Sequence, residues 1–420
     1  MNRYGLAGMA LGLLAPTAFA NTGEKDTNVD LTPVQEEMVN IKFTPGSGIT
    51  FDGGDSFALN VRGGLVFRYV AASNDDAIGG PGSNATINTF DVRSARLMMM
   101  GHVFDQKTRY NFSIESAGDT FFPGNALVPV KDAYVERDMM QMESMKLMVS
   151  LGQMRTGFGR ETNGDEYTKA MGEFTLAGRS FSGQRSRGLN VSLVDNDDKW
   201  RVNAGLWNSD QAGGSGFAAE DGVNSDNELS YSLNVRFDGN GSMGDGSFTT
   251  LDRARTEAFL WGVGAGIWFG NETVGGADME QIDYNVNFAF KTKGFGGLFE
   301  FYGSSQELQV PGKQSVDDIG WSAILNYSMD NGWTFGGQIS SVNNDTPQAG
   351  NTGIRPVNPV GTTYAGEGTS LEYGVFVAHE YNNVGAHRVI LELLGQNIDQ
   401  ETPSQTDTNL ILRATYVLVF

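Results

Sequence analysis

The sequence predicts an all-β chain: a transmembrane antiparallel β-barrel of about sixteen strands with one long loop folded inward. Three observations predict it. From Phe57 onward apolar residues recur at every second position, the connections between these runs alternate between short and long, and the chain closes on an alternating apolar segment ending at Phe420.

The first twenty residues read as an export signal. Arg3 precedes the apolar run Leu6 to Leu14, and Ala18-Phe19-Ala20 offers a cleavage point before Asn21. The run is too short to cross a bilayer as a helix. There is no cysteine, which excludes disulfides and thiolate metal sites from this exported chain. The 56 glycines and 11% aromatic content fit either an extracellular β-solenoid or adhesin, or an outer-membrane barrel, and the period of the apolar pattern separates them. Residues 21 to 50 are polar and acidic, with one short helical signal: Thr32 as N-cap, Pro33 at the first helical position and Gln35 three residues after the cap, as in a capping box. They read as a periplasmic N-terminal extension or a flexible tail, leaving residues 51 to 420 for the barrel.

The strand signal is a period of two. Phe57, Leu59, Val61, Leu65, Phe67 and Tyr69 share one face, with Asn60, Arg62 and Arg68 on the other. The same division recurs at Tyr110, Phe112 and Ile114 against Arg109 and Glu115, and at Tyr231, Leu233, Val235 and Phe237 against Asn234 and Arg236. It is clearest where Ile282, Tyr284, Val286, Phe288 and Phe290 oppose Asp283, Asn285, Asn287 and Lys291. Alternation alone leaves open which face points inward. Scale decides, because a closed sheet of so many strands has a lumen too wide for side chains to fill, so the polar face belongs inside.

The expected strands are 57 to 71, 88 to 103, 106 to 117, 130 to 138, 145 to 155, 187 to 195, 199 to 208 and 227 to 238, then 258 to 269, 279 to 292, 294 to 306, 317 to 329, 332 to 342, 369 to 382, 386 to 397 and 407 to 420. The second calls for a bulge, since Phe90, Val92, Arg96, Met98 and Met100 share a parity. Short links, periplasmic turns on this reading, fall at Phe104-Asp105, Asp195 to Lys199, Lys293-Gly294 and Asp330-Asn331; long ones span 72 to 87, 118 to 129, 209 to 226, 307 to 316 and 343 to 368. The last strand, NLILRATYVLVF, ends on an aromatic carboxylate, the signal typical of bacterial outer-membrane proteins; the alternative is a buried edge strand that happens to end there.

One connection stands apart. From Met154 to Arg187 the chain leaves the strand pattern and carries Arg155, Arg160, Lys169, Arg179, Arg185 and Arg187 among Glu161, Asp165, Glu166 and Glu173. A loop this long in a compact β-protein is usually functional or disordered. It is expected to fold into the barrel and line its narrowest point, the alternative being a surface loop of mixed charge.

The order of segments FDVRSARLMMMGHVFDQKTRYNFSIESAGD, VKDAYVERD, LMVSLGQMRTGFGRE, RSRGLNVSLVD and KWRVNAGLWNSD resembles the phosphate-selective porin O and P family. The match covers roughly 57 to 210 well, and the remainder by strand rhythm and the terminal Phe. The resemblance implies a sixteen-stranded outer-membrane homotrimer whose third loop, here 154 to 187, makes the constriction, with arginines and lysines guiding phosphate. Arg62, Arg68, Arg109, Arg201 and Arg236, on lumen-facing parity, would extend the constriction's set. The formal charge of −21 departs from an anion-attracting surface, although acids and bases nearly cancel between 57 and 210 and the later half carries the excess.

Other chemistry finds little footing. Gly239 to Gly244 matches G-x-G-x-x-G, but no amphipathic helix follows it. His102, His379 and His387 are too dispersed for a zinc signature, and no G-x-S-x-G elbow occurs. Methionines 98 to 100 and 139 to 148 read as lipid-facing or turn packing rather than copper ligands. The chain is therefore expected to be no enzyme, to need no cofactor or metal, and to meet outer-membrane lipid, small ionic solutes and copies of itself, but no nucleic acid. Passive diffusion of small hydrophilic solutes, anions such as phosphate among them, is the leading expectation; a non-transporting surface or adhesion barrel is the alternative.

Overall fold

The computed structural model describes residues 39–74, 86–116, 130–164, 167, 169–181, 185–208, 229–274, 277–309, 314–345, 367–381, 386–401 and 404–420. The export signal, the helical signal at Thr32 to Gln35, Asp165 and Glu166, and much of the long outer loops lie outside the described residues.

A short hairpin comes first, β1 (Asn40–Thr44) and β2 (Gly48–Asp52). Sixteen long strands follow: β3 (Phe57–Asn74), β4 (Thr86–Val103), β5 (Asp105–Ser116), β6 (Val130–Gln141), β7 (Met145–Arg155), β8 (Arg185–Asp195), β9 (Trp200–Asn208) and β10 (Leu229–Gly239). The second half comprises β11 (Leu260–Val274), β12 (Ala277–Thr292), β13 (Phe295–Leu308), β14 (Gln314–Ser328), β15 (Trp333–Asn344), β16 (Gly368–Glu380), β17 (His387–Glu401) and β18 (Ser404–Val419). Each of the sixteen expected runs corresponds to one of these strands.

Consecutive strands pair antiparallel, and β18 returns to β3 with Val419 opposite Gly64 and Asn409 opposite Asn74. The sixteen long strands thereby close on themselves, so each of them is paired on both sides. At the seam Phe420 and Gly63 exchange backbone hydrogen bonds of 2.9 and 2.7 Å. A Cβ on Gly63 would lie 2.6 Å from the Phe420 ring, so the closing residue needs a glycine opposite it.

Faces follow the period of two. Along β12, Ile282, Tyr284 and Val286 are exposed on the outer surface, whereas Gln281, Asp283, Asn285 and Asn287 are buried inside. The bulge expected in β4 is present: Val66 pairs Ser94 but Phe67 pairs Val92, so Arg93 is the extra residue. Phe90 and Leu97 consequently both face out while Asp91, Arg93 and Arg96 are all buried. The same shift turns Met98 inward, where it joins a buried cluster with Tyr167 and Met171 rather than lipid.

Two features differ from expectation. Part of the stretch assigned to the N-terminal extension is the β1–β2 hairpin, and β2 pairs Ile49 to Asp52 with Val61 to Ala58 of β3, prolonging the seam below the end of β18. The alternation in IKFT and GITFD is too brief to stand out as a strand signal. The connection 240–259 is long although it lies at the end where turns are short, and its glycine pattern reads as a plain turn. It folds inward, with a 3-10 turn, Ser247–Thr250, against β12 and β13.

Candidate functional site

The chain turns into the barrel as soon as β7 ends. Gly157 (φ 79°) and Gly159 (φ 76°) take left-handed conformations that few other residues adopt, and they bracket Phe158. The connection between β7 and β8 thus spans 156–184, slightly shorter than the stretch 154 to 187 marked by sequence. Its seat is apolar. Phe158, Leu176, Ala177 and Phe181 form one buried cluster with Trp207, Trp268, Tyr302 and Val342, which the wall strands turn inward. Phe181 stacks on Tyr302 at 5.5 Å between centroids, and Trp207 on Trp268 at 6.2 Å. Burying each large side chain stabilises the inward position by about 1.5–3 kcal/mol, enough in sum to draw the loop out of water.

A short helix, α1 (Leu176–Phe181), lies in this loop and packs on β13, β14 and β15. Thr175 caps it, its hydroxyl accepting from Gly178 N at 3.1 Å. Ala177 N donates to Ser340 Oγ at 2.8 Å, and Arg179 is bidentate to Glu372 on β16.

The 240–259 connection meets the loop from the opposite end. Gly246 N donates to Arg160 O at 2.9 Å, Asn163 Nδ2 to Asp245 at 2.9 Å, and Ala170 N to Ser247 Oγ at 2.9 Å. Gly296 makes the approach possible, because a Cβ there would lie 1.8 Å from Thr250 O.

The expected loop cations are all inside and all engaged. Arg160 reaches Asp238 at 3.0 Å, Asn287 at 3.1 Å and Gly244 O at 2.9 Å. Lys169 bonds Glu173 at 2.6 Å and lies over the Phe174 ring. Arg185 bonds Asp132 at 2.8 Å, Arg187 bonds Gln153 at 3.0 Å, and Arg155 bonds Thr162 O. Of the expected wall arginines, Arg68 pairs with Asp91 and Glu173, Arg109 with Glu136 and Asp138, Arg201 with Asp198, and Arg236 with Asp198 and Asp245. Arg62 differs: it makes no ion pair among the described residues, and its Nε is buried without a hydrogen-bond partner.

Sequence reading missed the acceptors. Asp91, Asp132, Asp238 and Glu372 stand on wall strands far from their partners, and nothing local to them signals a guanidinium. It also missed Arg93, which the bulge turns towards Glu173 at 2.9 Å, and the Arg413–Glu392 pair at 3.3 Å.

Two loop carboxyls have opposite electrostatics. Burial, with the Glu300 carboxylate nearby, pushes the Glu161 carboxyl up to about 8, although Thr175 donates to it through both N and Oγ1. Burial would raise Glu173 too, but Arg93, Lys169 and Arg68 outweigh it and hold that carboxyl well below its ordinary value. The lumen at this level is therefore a field of matched charges. On β4 to β6, Arg109, Glu136, His102 and Asn111 line a separate cavity of about 570 Å³.

No family model matches the chain, and no curated protein matches it in sequence. Solved structures do match. A loop L8 deletion mutant of OmpT, an outer membrane protein of Vibrio cholerae, is similar at 13% identity over 86% of this chain and 100% of that one, with a TM-score of 0.52. The anion-selective porin from Comamonas acidovorans is similar at 10% identity over 86% and 100%, with a TM-score of 0.55. The outer membrane channel DcaP of Acinetobacter baumannii is similar at 10% identity over 86% and 98%, also with a TM-score of 0.55. The shared feature is the fold, a closed sixteen-stranded antiparallel barrel of the outer-membrane porin type.

Proposed function

We propose that this chain is an outer-membrane porin, a passive diffusion channel for small hydrophilic solutes. One observation carries the reading: a closed barrel with an apolar exterior and a polar interior holds a connection inside its own lumen, anchored at Phe181, Arg160 and Arg179. A barrel serving only as a surface scaffold has no use for an internal constriction. Assembly as a homotrimer, export by a cleaved signal and membership of the phosphate-selective porin O and P family belong to the same proposal; the sequence segments quoted above support the last.

Small anions such as phosphate are the proposed preferred ions, but the preference is modest. Guanidinium groups suit oxyanions, and a partly dehydrated lumen strengthens their attraction. Here most of them already face carboxylates, as in Arg160–Asp238 and Arg179–Glu372, which leaves a transverse field with little net charge. Arg62, which forms no ion pair among the described residues, is the exception that favours anions. The test is the reversal potential of reconstituted protein across a potassium chloride gradient, with and without phosphate. Weak anion preference reduced by Arg62→Gln supports the reading, and strong cation preference overturns the anion part of it.

A further inference from the structure

Between the inward loop at 157–163 and the wall made by β9 to β12, the lumen contains a cavity of about 40 Å³. Amides dominate its lining: Asn163, Asn203, Asn234, Asn285 and Asn287. The guanidinium groups of Arg160, Arg201 and Arg236 that reach it are answered by Asp238, Asp198 and Asp245. Three positive groups against three negative ones leave the set formally neutral, which gives a phosphate ion nothing to neutralise.

Three polar atoms of the lining residues are buried without a hydrogen-bond partner, and one of them, Arg236 Nε, still has Asp238 at 3.4 Å. Asn234 is 4% exposed, and its Nδ2 donates to Thr156 O at 3.0 Å, yet its Oδ1 is buried without a partner. Arg201 Nε is likewise buried without a partner. An unmet acceptor and an unmet donor at one cavity both favour a guest that supplies the complementary groups, since a buried polar atom without a partner is costly. The volume admits a guest of about three waters or their equivalent.

We propose that this cavity is a subsite for small uncharged solutes that carry both a hydrogen-bond donor and an acceptor, the chemistry of urea and the shortest polyols. The inference rests on the channel reading above and names a solute class for one part of the lumen. A urea-sized molecule offers N–H to Asn234 Oδ1 and C=O to Arg201 Nε, and the surrounding amides replace its hydration shell. A multiply charged anion finds no excess positive charge to offset its desolvation.

Urea entry into proteoliposomes, followed by stopped-flow light scattering, tests this when chloride conductance is measured on the same preparation. The ratio of urea entry to chloride conductance is expected to fall about fivefold in Asn234→Leu, the factor for losing one neutral hydrogen bond. Asn203→Ser is expected to lower the ratio less, and it provides the readout should the first variant not fold, because it removes an amide without touching the bond to Thr156. Phosphate is expected not to compete with urea. If chloride passes but the ratio is unchanged in the folded variants, or phosphate competes with urea, the subsite is refuted and the channel stands. If neither chloride nor urea passes, the channel reading fails and the subsite falls with it.

Discussion

Arg160 and Asp238 meet at 3.0 Å with side chains 1% and 0% exposed, joining the inward loop to the end of β10 just before the second inward connection begins. The same arginine also holds Asn287 of β12 and the carbonyl of Gly244. Removing one member of a buried pair leaves a charge without compensation, which costs about 3–5 kcal/mol. Arg160→Met is therefore expected to lower the temperature at which the folded band is lost in heat-modifiability gels. Combined with Asp238→Asn it is expected to recover much of the loss; equal loss in the single and double variants would show that the pair is not coupled.

Phe181 anchors the loop's far end against Tyr302, close enough that a Cβ on Gly320 would lie 2.5 Å from its ring. Phe181→Ala removes a buried aromatic side chain at about 3–5 kcal/mol. The strands do not depend on that contact, so the cost should appear as release of the loop. Larger, noisier single-channel currents with an unchanged barrel melting transition are expected, and a quiet current of unaltered size would place the constriction elsewhere.

The two loop carboxyls give the seat a pH window. The Glu161 carboxyl is raised to about 8, so its contribution is complete below the ordinary carboxyl range and is lost as pH rises through about 8, where it ionises beside Glu300. Glu173 lies well below its ordinary value, so its contribution holds at neutral pH and is lost only in strong acid. Current noise recorded against pH should rise on the alkaline side and again in strong acid. Glu161→Gln should remove the alkaline rise alone.

Inside and outside differ sharply between neighbours on β12. Val286 is 55% exposed and Asn285 is 1% exposed. Val286→Arg is expected to cost about 2–4 kcal/mol near the membrane midplane, whereas Asn287→Asp, at the oxygen that already accepts from Arg160 Nε at 3.1 Å, should be mild. Similar losses in urea-gradient folding for the two variants would contradict the orientation of the sheet.

The strands were legible because each follows one local rule, a period of two, and even the β4 bulge betrayed itself when Val92 and Arg96 fell on one parity. The loop 156–184 was legible by length and by its departure from that rule. Its internal seat was not, because Phe158 and Phe181 meet Trp207, Trp268 and Tyr302 only after the barrel closes. Nor were the ion pairs: Arg179 and Glu372 are 193 positions apart, and each alone reads as an ordinary lumen charge. The second inward connection escaped notice because its anchor, Gly296, is a missing side chain under Thr250, which in sequence is one glycine among 56.

As proposed, this barrel conducts through a lumen narrowed by its own loop. Current across a planar lipid bilayer, recorded while folded, heat-modifiable protein is added, tests it most directly. Discrete, ohmic conductance steps are predicted for the unmodified protein, with larger steps for Phe181→Ala. Repeated reconstitution of folded protein without any steps would contradict the account.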